Sequence, residues 1–309
     1  TVLLCDTFIY LPSIDKYIKY SNAGDAIEND RAARLKTSQL SSLHIDSADV
    51  QKFYQYSAET LKKIQGDNTI SETERAEKIQ TSVRDMISSM FSGQATSTEM
   101  GKQIVQDCQN IVRTYIMKDA KTNWYDRIKA AVAQFGDAYS HAAATSTFAA
   151  LFGMALGIKS VEELTIAGLL HDIGFSRLPQ EIVEKNVFEL TSEELAEYKK
   201  HVQLTIDIIK DRKLVLNELV YKIILQHHER VSGTGYPKGL QATQIIQEAQ
   251  ILSLADRFSE LTMVKPGVPT TPADEAMKLI YNENADNPSK AQFDLEFLKK
   301  ISALFPTPS

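Results

Sequence analysis

Histidines and carboxylates that could bind metal are concentrated between residues 141 and 256 of this 309-residue chain. Five of the six histidines lie there, each beside or in step with a carboxylate. Neutral imidazole and carboxylate are the usual protein ligands of first-row transition metals. Seven such groups are too many for one ion, so they predict two ions side by side, an arrangement suited to attack on phosphate esters. The seven candidate ligands are His141, His171, Asp172, His201, His227, His228 and Asp256.

Helical spacing predicts where several of these side chains point. Leu219, Ile223 and His227 are each four residues apart, which places them on one face of a helix. His228 and Asp256 extend apolar rows of the same kind. A polar or ionised group on an interior face is costly unless it is paired or binds a metal. The pattern therefore favours ligands over isolated core residues.

Helix-capping signals precede the segments that carry the ligands, at Ser160, Thr191 and Asn217. The helix that begins after Ser160 is predicted to carry His171 and Asp172. The helix after Thr191 is predicted to carry His201, and the helix after Asn217 is predicted to end in His227 and His228. A further helix, from about Gln247, is predicted to carry the last aspartate. The glycine- and proline-rich segment 233–239 is predicted to be a loop. Helices converging on polar groups are typical of metal centres in bundles.

The predicted fold class is mainly α, with two domains. Residues 1–120 are predicted to form a smaller mixed α/β-plus-helical domain, and residues 121–309 an all-helical bundle that carries the ligands. The polar segment 118–123 is the candidate boundary. A regulatory or dimerising role is expected for the first domain, which makes a homodimer one predicted assembly.

Within the first domain the hydrophobic pattern changes from strand-like to helical. Residues 2–10 and 43–45 are β-prone, and apolar residues then recur with a helical period over 49–64. Further helices are predicted over 71–91 and 101–117. A receiver domain is the alternative for residues 1–120. It would need a second hydrophobic strand near its middle, where this sequence predicts a helix.

Composition excludes several classes of function. The net charge of −6 argues against DNA or RNA as a partner, because binding of long nucleic acids requires many phosphates to be neutralised. Two cysteines offer no disulfide framework. The longest apolar stretch, residues 148–158, is too short to span a bilayer, and the first residues lack signal-peptide features. We therefore expect a cytoplasmic protein without a membrane partner.

The chain resembles the HD-GYP branch of the HD phosphohydrolases over residues 137–305. The HDIGK motif of that family corresponds to residues 171–175, which read His-Asp-Ile-Gly-Phe. Its HHExxxGxGYPxGL signature is matched in full over residues 227–240. A histidine followed fifteen residues later by Leu-Gly is present at His141, and the closing aspartate lies within residues 254–258.

The resemblance implies an all-helical domain that hydrolyses cyclic di-GMP at a centre of two, sometimes three, metals. It assigns a first metal to the set His141, His171, Asp172 and Asp256. It assigns a second metal to His201, His227 and His228, with Asp172 bridging and therefore predicted as the catalytic carboxylate. Iron is the expected metal, followed by manganese. Asp137 is a candidate ligand for a third metal, although it replaces a glutamate that is longer by one methylene.

Several family positions that contact substrate are changed. The lysine of HDIGK is Phe175, which carries no charge and donates no proton. The Trp-Asp pair before the signature glycine is Val231-Ser232, and the Arg-Pro-Tyr-Arg segment reads Lys-Pro-Gly-Val, with Gly267 in place of the tyrosine. The remaining candidates for contact with substrate are Arg230, Tyr236, Lys238 and Lys265.

The predicted function is hydrolysis of cyclic di-GMP by a metal-bridging hydroxide, at a rate reduced by these changes. The alternative is a non-catalytic metal-containing signalling module that binds a cyclic dinucleotide or a protein partner such as a cyclase-type signalling protein. A phosphohydrolase of another nucleotide is a third hypothesis. The Gly-Tyr-Pro loop favours the first over the third, whereas Phe175 and Gly267 favour the second.

Overall fold

The computed structural model describes most of the second half of the chain and separate parts of the first 78 residues. The described residues are Val2, 4–11, Ile14, 16–26, 43–46, scattered positions from 49 to 78, 138–263 and 271–305. The chain divides into two compact units, Thr1–Thr96 and Ser97–Ser309. The predicted boundary near residue 120 and the predicted helices over 71–91 and 101–117 fall on residues outside this description, apart from one helical position at Lys78, and stay predictions.

The first unit contains a two-stranded antiparallel sheet formed by β1 (Thr7–Leu11) and β2 (Lys16–Ser21). Phe8 of β1 also exchanges two backbone hydrogen bonds with His44, at 2.7 and 2.8 Å. The β-prone segments around residues 2–10 and 43–45 are thus confirmed in part. We did not predict β2, because its two lysines interrupt the apolar pattern even though its tyrosines and isoleucine favour strands.

The described part of the second unit is helical, which confirms the predicted mainly α class. Its helices are α1 (Ala138–Ala155), α2 (Val161–Leu170), α3 (Gln180–Val183), α4 (Ser192–Tyr198), α5 (His201–Asp211), α6 (Glu218–Gln226), α7 (Gln247–Thr262), α8 (Ala273–Asp286) and α9 (Leu295–Ser302). Single 3₁₀ turns lie at Ile173–Arg177, Val187–Glu189, Ala242–Gln244 and Pro288–Lys290. None of the helices that the structure describes has both the length and the apolar character needed to cross a membrane.

Aromatic packing joins the two helices that bring distant parts of the metal centre together. Phe148 and Phe152 of α1 contact the ring of Phe258 of α7 edge-on, with centroids 4.9 and 5.5 Å apart. All three rings are fully buried, and burial of each contributes about 1.5–3 kcal/mol to folding. Where α2 crosses α1, a Cβ at Gly168 would lie 2.7 Å from the Ser146 Cα, so only glycine allows this approach.

The capping signals are confirmed at two of three positions. At Thr191 the side chain and Glu194 bond to each other's backbone N–H groups, and the Asn217 side chain accepts from Leu219 N. At Ser160 the predicted capping box is wrong, because its hydroxyl donates instead to the Glu248 carboxylate, 2.6 Å away. The helix opened at Thr191 also ends earlier than predicted, and a two-residue turn separates α4 from α5.

Candidate metal centre

The first group of predicted ligands converges at the meeting point of α1, the end of α2, and α7. Ligand atoms of His141, His171, Asp172 and Asp256 all lie within 4.8 Å of one another. His141 Nε2 is 3.0 Å from Asp256 Oδ1, and His171 Nε2 is 3.2 Å from Asp172 Oδ2. This spacing around a common centre is what a single cation requires.

The second group lies against the first. Ligand atoms of Asp172, His201, His227 and His228 also lie within 4.8 Å of one another. His201 Nε2 is 3.1 Å from His228 Nε2 and 3.4 Å from Asp172 Oδ1. Two imidazole nitrogens that face each other at this distance cannot both carry a proton, so at least one presents a lone pair.

Asp172 belongs to both groups through different oxygens. Its Oδ2 lies nearest His171 in the first group, whereas its Oδ1 lies 3.4 Å from His201 and 3.8 Å from His227 in the second. The residue follows α2 directly, at the start of the Ile173–Arg177 turn. The structure therefore places this carboxylate where the sequence predicted a bridge between two cations.

Backbone carbonyls fix the orientation of three imidazole rings in the same way. The Nδ1 atoms of His171, His201 and His227 lie 2.8, 2.7 and 2.6 Å from the carbonyl oxygens three residues earlier. A carbonyl only accepts, so each Nδ1 donates, and in the neutral imidazole the Nε2 atom then carries the lone pair. Such bonds orient histidine ligands and raise their basicity toward a metal.

Several atoms in this centre are buried without a hydrogen-bond partner. In the part of the chain that the structure describes, His171 Nε2, His227 Nε2 and Asp172 Oδ1 make no hydrogen bond of acceptable geometry. His171, His201 and His227 have no exposed surface. Because a buried acceptor left unpaired costs about 1–3 kcal/mol, these atoms fit the needs of divalent cations.

The protonation states of two histidines suit metal binding. Burial lowers the pKa of His201 to about 4, and burial with two neighbouring histidines holds the pKa of His228 well below its usual value. Both are therefore neutral at pH 7, the form that binds a metal. Burial also disfavours charge on His171, but the Asp172 carboxylate outweighs it and raises the pKa of His171. Burial of Asp172 and Asp256 is likewise outweighed by nearby histidines, so the pKa of each carboxyl is lowered.

Aromatic rings line the side of the second group. Phe175 stacks on His201 with centroids 4.1 Å apart and planes 20° apart, and it also contacts Tyr198 at 4.9 Å. Tyr236, from the glycine-rich loop, stacks on His228 at 4.7 Å and 28°. The position that holds lysine in the resembled family is therefore occupied here by a ring that covers a candidate ligand.

Glu229 holds the glycine-rich loop and was not among the predicted site residues. Its carboxylate is 2% exposed and accepts hydrogen bonds from the backbone N–H groups of Lys238 and Leu240, at 2.7 and 2.8 Å. Tyr236 N donates to the His228 carbonyl at 3.1 Å. The sequence does offer a signal, since an acidic residue just before a glycine-rich loop is well placed to accept from its amides.

Glu229→Gln is expected to loosen this loop. The amide can offer one oxygen but places an NH₂ group against the second backbone donor, and loss of one buried charge-assisted bond costs about 1.5–3 kcal/mol. We expect a lower free energy of unfolding and faster hydrogen exchange at the amides of Lys238 and Leu240. Unchanged exchange at both amides would contradict this role, and Glu218→Gln, at the exposed start of α6, serves as the control.

The other predicted substrate contacts are placed only in part. Arg230 and Lys238 are exposed at the surface, and Tyr236 is half-buried against His228. Lys265, Gly267 and Asp137 lie outside the described residues. Their predicted roles, including the third metal ligand, stay predictions.

Comparison with known proteins agrees with this geometry. The HD domain family matches residues 114–288, which is more than half of the chain. A cyclic di-GMP phosphodiesterase of Thermotoga maritima is 31% identical over 147 residues, 47% of this chain and 40% of that protein. The 3'3'-cGAMP-specific phosphodiesterase 1 of Vibrio cholerae is 30% identical over 131 residues, 42% of this chain and 30% of that protein. The matches thus span less than half the length of these curated relatives.

A solved structure extends the likeness in fold over the whole chain. Bd1817, an HDG"Y"P protein from Bdellovibrio bacteriovorus, has a TM-score of 0.67 and 23% identity, covering 98% of this chain and 95% of that one. At this level of identity the likeness concerns the fold. The chain belongs to the HD domain family, and its signature places it in the HD-GYP branch.

Proposed function

We propose that this chain hydrolyses a phosphodiester bond of cyclic di-GMP with the help of two divalent metal ions. The observation that carries the proposal is the position of Asp172, whose two oxygens face two separate groups of candidate ligands. The relatives named cyclic di-GMP phosphodiesterases support this substrate class. The relatives named for 3'3'-cGAMP support cyclic dinucleotides more broadly.

Each metal ion would have its own set of ligands, with one residue in common. In our proposal His141, His171 and Asp256 would hold the first ion, His201, His227 and His228 would hold the second, and Asp172 would serve both. When bound, two such ions lower the pKa of water and neutralise charge on the attacked phosphate. The imidazole-rich N/O ligand set suits iron first and manganese next.

Residues around the centre would then orient the substrate. Tyr236 presents an aromatic ring beside the second metal group, which is suited to contact with a base or ribose. Arg230 and Lys238 are exposed cations on the same segment and would attract the anionic substrate.

Metal-loaded protein is expected to convert cyclic di-GMP to a linear product, and His201→Ala to lose both this activity and one metal. The reason is that His201 contributes to the second group only, so the first keeps all its ligands. Chromatography of the nucleotides after anaerobic loading with iron or manganese, together with elemental analysis, provides the measurement. His44→Ala, in the N-terminal unit, is the control. Two metals retained in His201→Ala would contradict the assignment.

A non-catalytic signalling module is the second candidate, and Phe175 is the observation that favours it. An uncharged ring stacked on His201 replaces a family lysine, so the substrate phosphate loses one cation. This function predicts that metal-loaded protein binds cyclic di-GMP without producing a linear nucleotide over hours. The same chromatographic assay, run beside equilibrium binding, separates the two functions.

A further inference from the structure

Lys199 occupies the two-residue turn between α4 and α5, next to the second metal group. Its ammonium nitrogen lies 5.3 Å from the centroid of the Tyr236 ring. Among the residues that the structure describes, no carboxylate lies within ion-pair distance of this ammonium. The adjacent Lys200, in contrast, pairs with Glu197 and points its charge toward that carboxylate. Lys199 therefore presents a charge that is positioned by an aromatic ring but not neutralised.

The neighbours of Lys199 place it at the rim of the centre. The Tyr236 ring beneath its ammonium is the one that stacks on His228. The preceding residue, Tyr198, contacts His201 at 5.4 Å and Phe175 at 4.9 Å. Lys199 thus lies next to aromatic rings that contact two of the three imidazoles proposed to hold the second metal.

A cyclic dinucleotide carries negative charge that a cation such as the Lys199 ammonium could bind. This ligand carries two phosphodiester groups, each with one negative charge. In the proposed function, the metals bind the phosphodiester that is cleaved, so the other must be met by protein groups outside the metal ligands. Phe175 cannot do this, because its side chain has neither charge nor a hydrogen-bond donor.

Lys199 is better prepared for this role than the other cations near the site. A lysine ammonium over an aromatic face is attracted by the ring, which limits the positions it samples before a ligand arrives. Arg230 and Lys238 are exposed, and the structure describes no ring or carboxylate that holds either side chain in place. An ammonium fixed in advance loses less freedom when it binds a phosphate.

We propose that Lys199 is a substrate-binding residue whose ammonium contacts the phosphodiester of the cyclic dinucleotide that is not cleaved. It supplies, from a different helix end, the positive charge that is missing at Phe175. This inference rests on the proposed function, because it assumes a substrate with two phosphates at the metal centre.

The test compares Lys199→Gln with Lys200→Gln in the metal-loaded full chain. Loss of one charge-assisted contact predicts that Lys199→Gln raises KM for cyclic di-GMP, or Kd where turnover is too slow, by about tenfold or more. Lys200→Gln should stay within about twofold of the unmodified chain, since its charge is already paired and screened. Metal content should be the same in all three proteins, and Lys199→Arg should restore most of the affinity.

Salt provides a readout that a purely structural role would not move. Affinity of the unmodified chain should fall as sodium chloride rises, and the slope should be smaller for Lys199→Gln than for Lys200→Gln. If the two variants share one affinity and one salt slope, Lys199 does not bind substrate and the inference is overturned. An unmodified chain that neither binds nor hydrolyses cyclic di-GMP would overturn the proposed function as well, so the two failures are distinguishable.

Discussion

Replacing Asp172 with alanine is expected to empty both metal sites at once and to reduce hydrolysis of cyclic di-GMP by at least about a thousandfold, or about 4 kcal/mol in activation free energy. The cause is the shared position of the carboxylate, whose oxygens face the two histidine groups separately. Without it the second group keeps three imidazoles and has no negative charge to balance a divalent cation. Elemental analysis and the nucleotide assay measure the two effects independently.

The same variant should keep its fold. In Asp172→Ala, His171 loses the carboxylate that raises its pKa, and burial then favours the neutral ring, which needs no partner charge. Circular dichroism should therefore resemble that of the metal-free unmodified chain. Asp211→Asn is the matched control, because Asp211 is exposed and pairs with Arg177 rather than with a candidate ligand. Two metals bound per chain in Asp172→Ala would refute the bridging role.

Local patterns in the sequence account for the placement of several candidate ligands. Leu219, Ile223 and His227 lie on one face of a helix because of backbone geometry alone, and the structure places Ile223 and His227 in the interior as expected. Capping at Thr191 and Asn217 was equally predictable, since each cap bonds to amides two or three residues away. Interactions over such short separations do not depend on how distant segments pack.

Contacts between distant segments account for what was missed. Ser160 bonds to Glu248, which is 88 residues away, so its local capping signal was misleading. The stacking of Phe175 on His201 and the position of Lys199 over Tyr236 depend on the packing of separate helices and a loop. Periodicity describes which face of an element is apolar, but it does not specify which side chains meet across two elements.

Gly174→Ala is expected to disrupt the centre without replacing any predicted ligand. A Cβ at this position would lie 2.0 Å from the His201 carbonyl oxygen and 2.7 Å from Thr205 N, both of which belong to the backbone of α5. Gly174 N also donates to Thr205 Oγ1, which in turn donates to the His171 carbonyl, each at 2.9 Å. The Ile173–Arg177 turn therefore packs directly against the backbone of α5, and a methyl group at position 174 would force the two apart.

Separation of the turn from α5 would move Asp172 away from His201. Asp172 directly precedes the turn, and His201 is the first residue of α5. We expect Gly174→Ala to lower the free energy of unfolding by about 3–5 kcal/mol, among the largest effects of single substitutions. It should lower Tm by roughly 10 °C and lose the second metal. Urea titration, calorimetry and elemental analysis measure these effects.

Gly153→Ala provides the comparison that separates a local clash from a general effect of adding a methyl group. Its Cβ would meet the Leu164 Cδ2 at 2.9 Å, which is the end of a side chain that can rotate away. The residue lies inside α1, where alanine is favoured over glycine by roughly 1 kcal/mol, so the net change in stability should be small. If Gly174→Ala and Gly153→Ala have the same stability and the same metal content, close packing of the Ile173–Arg177 turn against α5 does not position the ligands. A large difference would show that close backbone packing, rather than the ligands alone, determines where the second cation can bind.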